Sequence, residues 1–139
     1  MIYIIEGNTG AGKTTFINTL SGFEIRKLGL SSLQEIQDTL SNVNGDVVFD
    51  RLFGLSWLNK TDDEILELNE YLKTVPNLVC YKFMVDEATS LERYIDKKKT
   101  ILGREICEQE KVIFSQTVHR QYIGFNRLFS LMDVFIEKE

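Results

Sequence analysis

Residues 7–14 read Gly-Asn-Thr-Gly-Ala-Gly-Lys-Thr and fit the phosphate-binding loop pattern G-x-x-x-x-G-K-S/T at every defined position. The apolar run Ile2-Tyr3-Ile4-Ile5 before it reads as a buried parallel strand, and 15–20 after it reads as a first helix. Strand, glycine loop and helix form the context this motif needs. Gly7, Gly10 and Gly12 let the backbone turn tightly and aim its N–H groups inward, where they and the positive helix start nest phosphate oxygens. The expected nucleotide-binding set is therefore Gly7, Asn8, Thr9, Gly10, Ala11, Gly12, Lys13, Thr14 and Thr15. Lys13 is expected on the β- and γ-phosphates, and the Thr14 hydroxyl on Mg²⁺. The ligand this predicts is a nucleoside triphosphate.

A chain of 139 residues suits one domain over 1–139. Its 43% hydrophobic content allows a real core, and no apolar stretch approaches the roughly 20 residues of a membrane span. No leader is visible, and Cys80 and Cys107 lack metal-ligand spacing, so buried free thiols in a cytoplasmic protein are expected. Net charge of −5 argues against general binding to nucleic acid. A homodimer stays open.

Apolar strand candidates recur at 2–6, 46–50, 77–85 and 132–137, with a weaker one at 23–28. Helical patterns separate them. Ser32-x-x-Glu35 and Thr61-x-x-Glu64 read as capping boxes, and Asp86 or Thr89 starts a further helix through Leu91 and Tyr94. The segment 104–131 is amphipathic, with Cys107, Phe114, Val118, Tyr122, Phe125 and Phe129 near one face and a break or kink allowed at Gly124. Alternating strands and helices predict a three-layer α/β/α fold with a central parallel sheet of about five strands. Ligands of such sheets sit at the carboxyl ends of the strands.

Asp50 ends the strand 46–50 and Arg51 follows it. Beside a phosphate loop, such an acid can accept a proton from an attacking hydroxyl or hold the metal with Thr14, and the arginine can neutralise phosphoryl oxygens. Asn59-Lys60-Thr61-Asp62 spells the N-K-x-D guanine box of GTPases. No adequate strand precedes it, and Thr61 reads better as a helix cap followed by first-turn acids.

Three segments in order, the phosphate loop at 7–15, Asp50-Arg51 with Ser56 beyond, and 76–86 leading to Leu91-Glu92-Arg93, resemble the thymidylate kinase and deoxynucleoside kinase group of phosphate-loop (P-loop) NTPase-fold kinases. The resemblance implies an ATP-dependent, Mg²⁺-using kinase acting on a nucleoside or nucleoside monophosphate. It places Lys13, Asp50, Arg51 and Arg104 in catalysis, Arg93 on the nucleotide phosphates, and a lid at about 94–105 that includes Lys97, Lys98 and Lys99. The departures are a short stretch before Asp50 with no aromatic residue in 29–45, and an end just after the last strand. These favour an alternative, a nucleotide-binding module acting through a partner. Phe23, Phe53 and Trp57 could stack on an acceptor base, although core is their commoner role.

Overall fold

In the computed structural model, residues 1–138 are described. Five strands form one all-parallel sheet in the order β2-β3-β1-β4-β5: β1 (Ile2–Gly7), β2 (Glu24–Arg26), β3 (Val47–Asp50), β4 (Leu78–Phe83) and β5 (Phe135–Glu137). Each predicted strand is present, including the weak second one. The phosphate-loop strand is central because it is apolar on both sides: Ile4 and Ile5 are fully buried on opposite faces.

The helices are α1 (Lys13–Ile17), α2 (Leu33–Ser41), α3 (Asp62–Leu72), α4 (Glu87–Leu102) and α5 (Glu108–Leu131), with a short 3₁₀ turn at Gly54–Trp57. On one face Ile36, Leu40, Ile65, Leu68, Phe125 and Phe129 of α2, α3 and α5 join Ile4 and Phe49 in the main core. On the other face α1 lays Ile17 against Ile5 and Val48, ringed by Tyr3, Phe16, Phe23 and Tyr81. The result is a three-layer sandwich whose second helical layer is thin. Phe53 and Trp57 lie wholly inside the main core, with Trp57 Nε1 donating to Leu30 O at 3.0 Å, so neither is free to stack on a ligand.

Helix starts follow the local chemistry. Thr61 and Glu64 complete a reciprocal capping box on α3. Ser32 Oγ accepts from Glu35 N at 3.2 Å, but the Glu35 carboxylate returns to the Ser31 and Ser32 hydroxyls rather than to the backbone. Asp86, not Thr89, caps α4.

Three expectations change. The first helix begins at Lys13, inside the glycine loop, and ends at Ile17. α5 runs unbroken through Gly124, whose missing side chain makes room for Leu58: a Cβ there would lie 2.9 Å from Leu58 Cδ1. Cys107 is exposed at the N-cap of α5 rather than on a core face, whereas Cys80 is buried and its thiol is pushed up to about 12 by burial. No helix among the described residues is long and apolar enough to cross a membrane.

Candidate functional site

The strand-to-helix corner after β1 is shaped by contact with β4. A Cβ on Gly7 would meet Phe83 O at 1.8 Å, so only glycine lets the two backbones meet there. Gly10 and Gly12 take φ of 74° and 91°, the left-handed conformation. The buried Asn8 side chain clamps the loop to the chain beyond β4, donating to Val85 O at 2.9 Å and accepting from Val85 N at 3.1 Å.

Most of the loop's carbonyls are taken by protein donors. Lys13 Nζ donates to Gly7 O at 3.0 Å and Asn8 O at 2.7 Å. The buried Ser90 hydroxyl donates to Thr9 O at 2.7 Å, and the Arg93 guanidinium donates to Gly10 O. The N–H groups of Gly10, Ala11 and Gly12, by contrast, have no acceptor among the described residues. With carbonyls tied back and amides free, the loop presents donors, the polarity an anion needs.

These amides open into a cleft of about 860 Å³ at the carboxyl ends of β1 and β3. Thr9, Gly10, Ala11, Gly12, Lys13, Thr14 and Thr15 line it, together with Asp50, Arg51 and Arg93. Gly7 and Asn8 build the loop from beneath rather than face the cleft. Lys27 and Lys97 complete a set of five cations against the single carboxylate of Asp50, in a chain of net charge −5. Lys27, Arg51 and Lys97 form no salt bridge among the described residues. Burial, then the neighbouring Arg51, pushes the Lys13 ammonium down to about 8. Lys27 is a site residue that the sequence reading passed over; its signal was a lone cation directly after a weak strand.

Glu6 is a second one. It is fully buried at the end of β1, and its Oε2 accepts from the N–H groups of Leu52, Phe53 and Gly54 at 2.8, 3.2 and 3.3 Å. Its other oxygen, Oε1, has no partner. Burial raises its pKa against the three backbone hydrogen bonds and Arg51, which lower it. Glu6 thus organises the turn after Asp50, where Arg51 (φ 67°) and Gly54 (φ 45°) are left-handed. An acid ending an apolar strand beside the loop was the available sequence signal.

Of the two expected phosphate cations, one stands elsewhere and the other is already engaged. Arg104 lies outside the cleft in a bidentate pair with Glu110, at 2.8 and 3.0 Å. Arg93 reaches the cleft but spends a donor on the loop carbonyl. The expected lid segment 94–105 is mostly the continuous second half of α4, closed by Gly103 at φ 66° and followed by a turn into α5. Lys99 there pairs with Glu105 at 3.2 Å. Three residues of the N-K-x-D box have partners within the fold: Thr61 caps α3, Lys60 lies over the Trp57 ring, and Asp62 pairs with Arg127.

A second cleft of about 430 Å³, lined by Phe83, Met84, Asn126 and Phe129, meets the first at Ala11.

No family model and no curated protein matches this chain. Among solved structures it is similar to a de novo designed protein of the P-loop NTPase fold, determined by solution NMR. The two share 15% identity over 94% of this chain and 95% of that one, with a TM-score of 0.34.

Proposed function

We propose that this chain is a thymidylate kinase-like phosphotransferase, passing the γ-phosphate of Mg-ATP to a nucleoside or nucleoside monophosphate. One observation carries the reading: a donor-lined loop and five cations converge on one cleft, with Asp50 and Arg51 on its wall. The free N–H groups and Lys13 hold the triphosphate. Thr14 and Asp50, both on the cleft wall, would hold Mg²⁺, which offsets negative charge on the phosphates. The second cleft, with two phenylalanine rings next to Ala11, suits the donor's base.

In the transfer, the hydroxyl oxygen of a nucleoside, or a phosphate oxygen of a monophosphate, bonds to the γ-phosphorus as the bond to the bridging oxygen breaks, leaving ADP. Asp50 takes the proton of a nucleoside hydroxyl; with a monophosphate acceptor it would instead help Thr14 hold the metal. Arg51, unpaired and held in place by the turn that Glu6 anchors, meets the charge on the moving phosphoryl group.

The test is transfer from labelled ATP to a panel of nucleosides and nucleoside monophosphates. At least one acceptor should be labelled. Asp50→Asn should lower kcat by about 10²–10⁴-fold, the worth of a positioned general base, while ATP still binds. A wild-type rate retained by Asp50→Asn would remove Asp50 from the chemistry. A second reading, a binding module without transfer, draws on the engagement of Arg93 with Gly10 O and Arg104 with Glu110. It is supported if ATP binds and no acceptor is labelled.

A further inference from the structure

The strand order leaves one face of the sheet thinly covered. Along β2-β3-β1-β4-β5, every step from strand to strand after β2 runs the same way, so right-handed crossovers put α2, α3 and the α4–α5 pair on one face, over the main core. Only the step from β1 to β2 runs the other way. Among the described residues α1, five residues long, is the one helix on the opposite face. All-parallel sheets are ordinarily covered on both sides.

The thinly covered face is aromatic. Tyr3 and Tyr81 stack with centroids 5.8 Å apart, Phe23 lies 5.5 Å from Tyr3, and Phe16 meets Tyr81 and Phe83 at 5.4 and 5.6 Å. All five rings are only partly buried. Val79 is in register with Tyr3, Ile25 with Val48 and Ile136 with Tyr81, so these three aliphatic side chains share the face. Ile25 and Ile136, on the two edge strands, are 54% and 52% exposed. A contiguous apolar surface of this kind marks an interaction site.

Charge selects the occupant. Residues 14–23, which run from α1 to Phe23, hold no ionisable side chain. At the border Lys138 lies over the Phe16 ring, Glu24 pairs with Arg26, and the Met1 amine pairs with Asp46. Such a face offers no electrostatic complement to an acidic or basic partner, and no cationic rim to anionic lipid. It does match itself. A two-fold interface sets one patch against its own copy, which penalises a patch of one sign and leaves a neutral one free to pack. Elsewhere two copies repel, each carrying a net charge of −5. We infer that this face is a homodimer interface: two copies pack sheet to sheet about a two-fold axis, each covering the aromatic surface that α1 leaves open on the other.

The experiment is sedimentation velocity on the full chain of 16.1 kDa, at concentrations up to about 100 μM, enough to populate a pair with a micromolar Kd. The wild type should run as a dimer. Ile25→Glu and Ile136→Glu replace exposed side chains and should keep the circular dichroism of the wild type. Each sets two new carboxylates in an apolar contact and should weaken the dimer at least about hundredfold. Ile113→Glu, at an exposed position on α5, should leave it unchanged. A wild type that stays monomeric, a dimer indifferent to both Ile25→Glu and Ile136→Glu, or one lost only to Ile113→Glu, overturns the inference. Monomers that bind phosphatidylcholine vesicles would give the face to a membrane instead. Hydrogen exchange on the wild type decides the matter even if both face variants unfold. On dilution through the dissociation range, amides of 18–23 should exchange faster while those of α5 hold; unchanged exchange at 18–23 overturns the inference.

Discussion

Lys13 shows at the residue scale how the site is poised. Its ammonium is held by two carbonyls of its own loop, and burial has lowered its pKa from 10.5 to about 8. Incoming phosphates favour the charged form, so binding raises this pKa. ATP binding should therefore take up a fraction of a proton near pH 8.5, and affinity should fall as pH rises above 8. Calorimetry in buffers of different ionisation enthalpy reads the uptake directly; zero uptake would remove Lys13 from the phosphates. Folding has the opposite dependence. The unfolded chain binds more protons between pH 8 and 10.5, so this group's contribution to stability rises with pH across that window. Lys13→Ala should weaken ATP by about 1.5–3 kcal/mol, the scale of a hydrogen bond to a charged group.

At the scale of elements, the helix starts carry the clearest local chemistry. Thr61 and Glu64 satisfy each other at the head of α3, and Asp62 beside them is taken by Arg127. Thr61→Ala should cost about 1 kcal/mol of stability in urea unfolding. Asp62→Ala should leave the ratio of ATP to GTP affinity unchanged, since Asp62 sits in a structural pair; a swing in that ratio would give the N-K-x-D box a base-reading role. α4 and α5 likewise read as two long capped helices joined by a turn, with His119 Nδ1 2.8 Å from the Glu87 carboxylate tying them.

Across the whole molecule, α5 joins the main core to the phosphate cleft. Phe125 is fully buried and stacks on Phe129, with centroids 5.6 Å apart, while Gln121 on the same helix lines the phosphate cleft. Phe125→Ala should cost about 3–5 kcal/mol through lost burial and the cavity left behind. Chemical denaturation measures it; a loss under about 1 kcal/mol would mean that α5 is not seated in the core.

Element types, the parallel sheet and the phosphate loop were legible in the sequence because they rest on short-range rules. Ile2–Ile5 is apolar at every position, Gly7–Thr14 matches a spaced motif, and Ser32, Thr61 and Asp86 cap the helices they precede. Asp50 and Arg51 were legible from their place at a strand end, which the fold puts on the cleft wall. Partners distant in the chain were not. Glu6 meets residues 52–54 more than forty positions away, Arg93 reaches Gly10 across eighty-three, and Gln121 lines the cleft of a loop more than a hundred residues before it. The sign and spacing of a side chain say what it can bond. Which carbonyl claims Arg93, which carboxylate claims Arg104, and which buried oxygen of Glu6 or Gln121 goes unmet depend on how the strands are ordered and how α4 and α5 pack back onto them, and only the tertiary structure decided that.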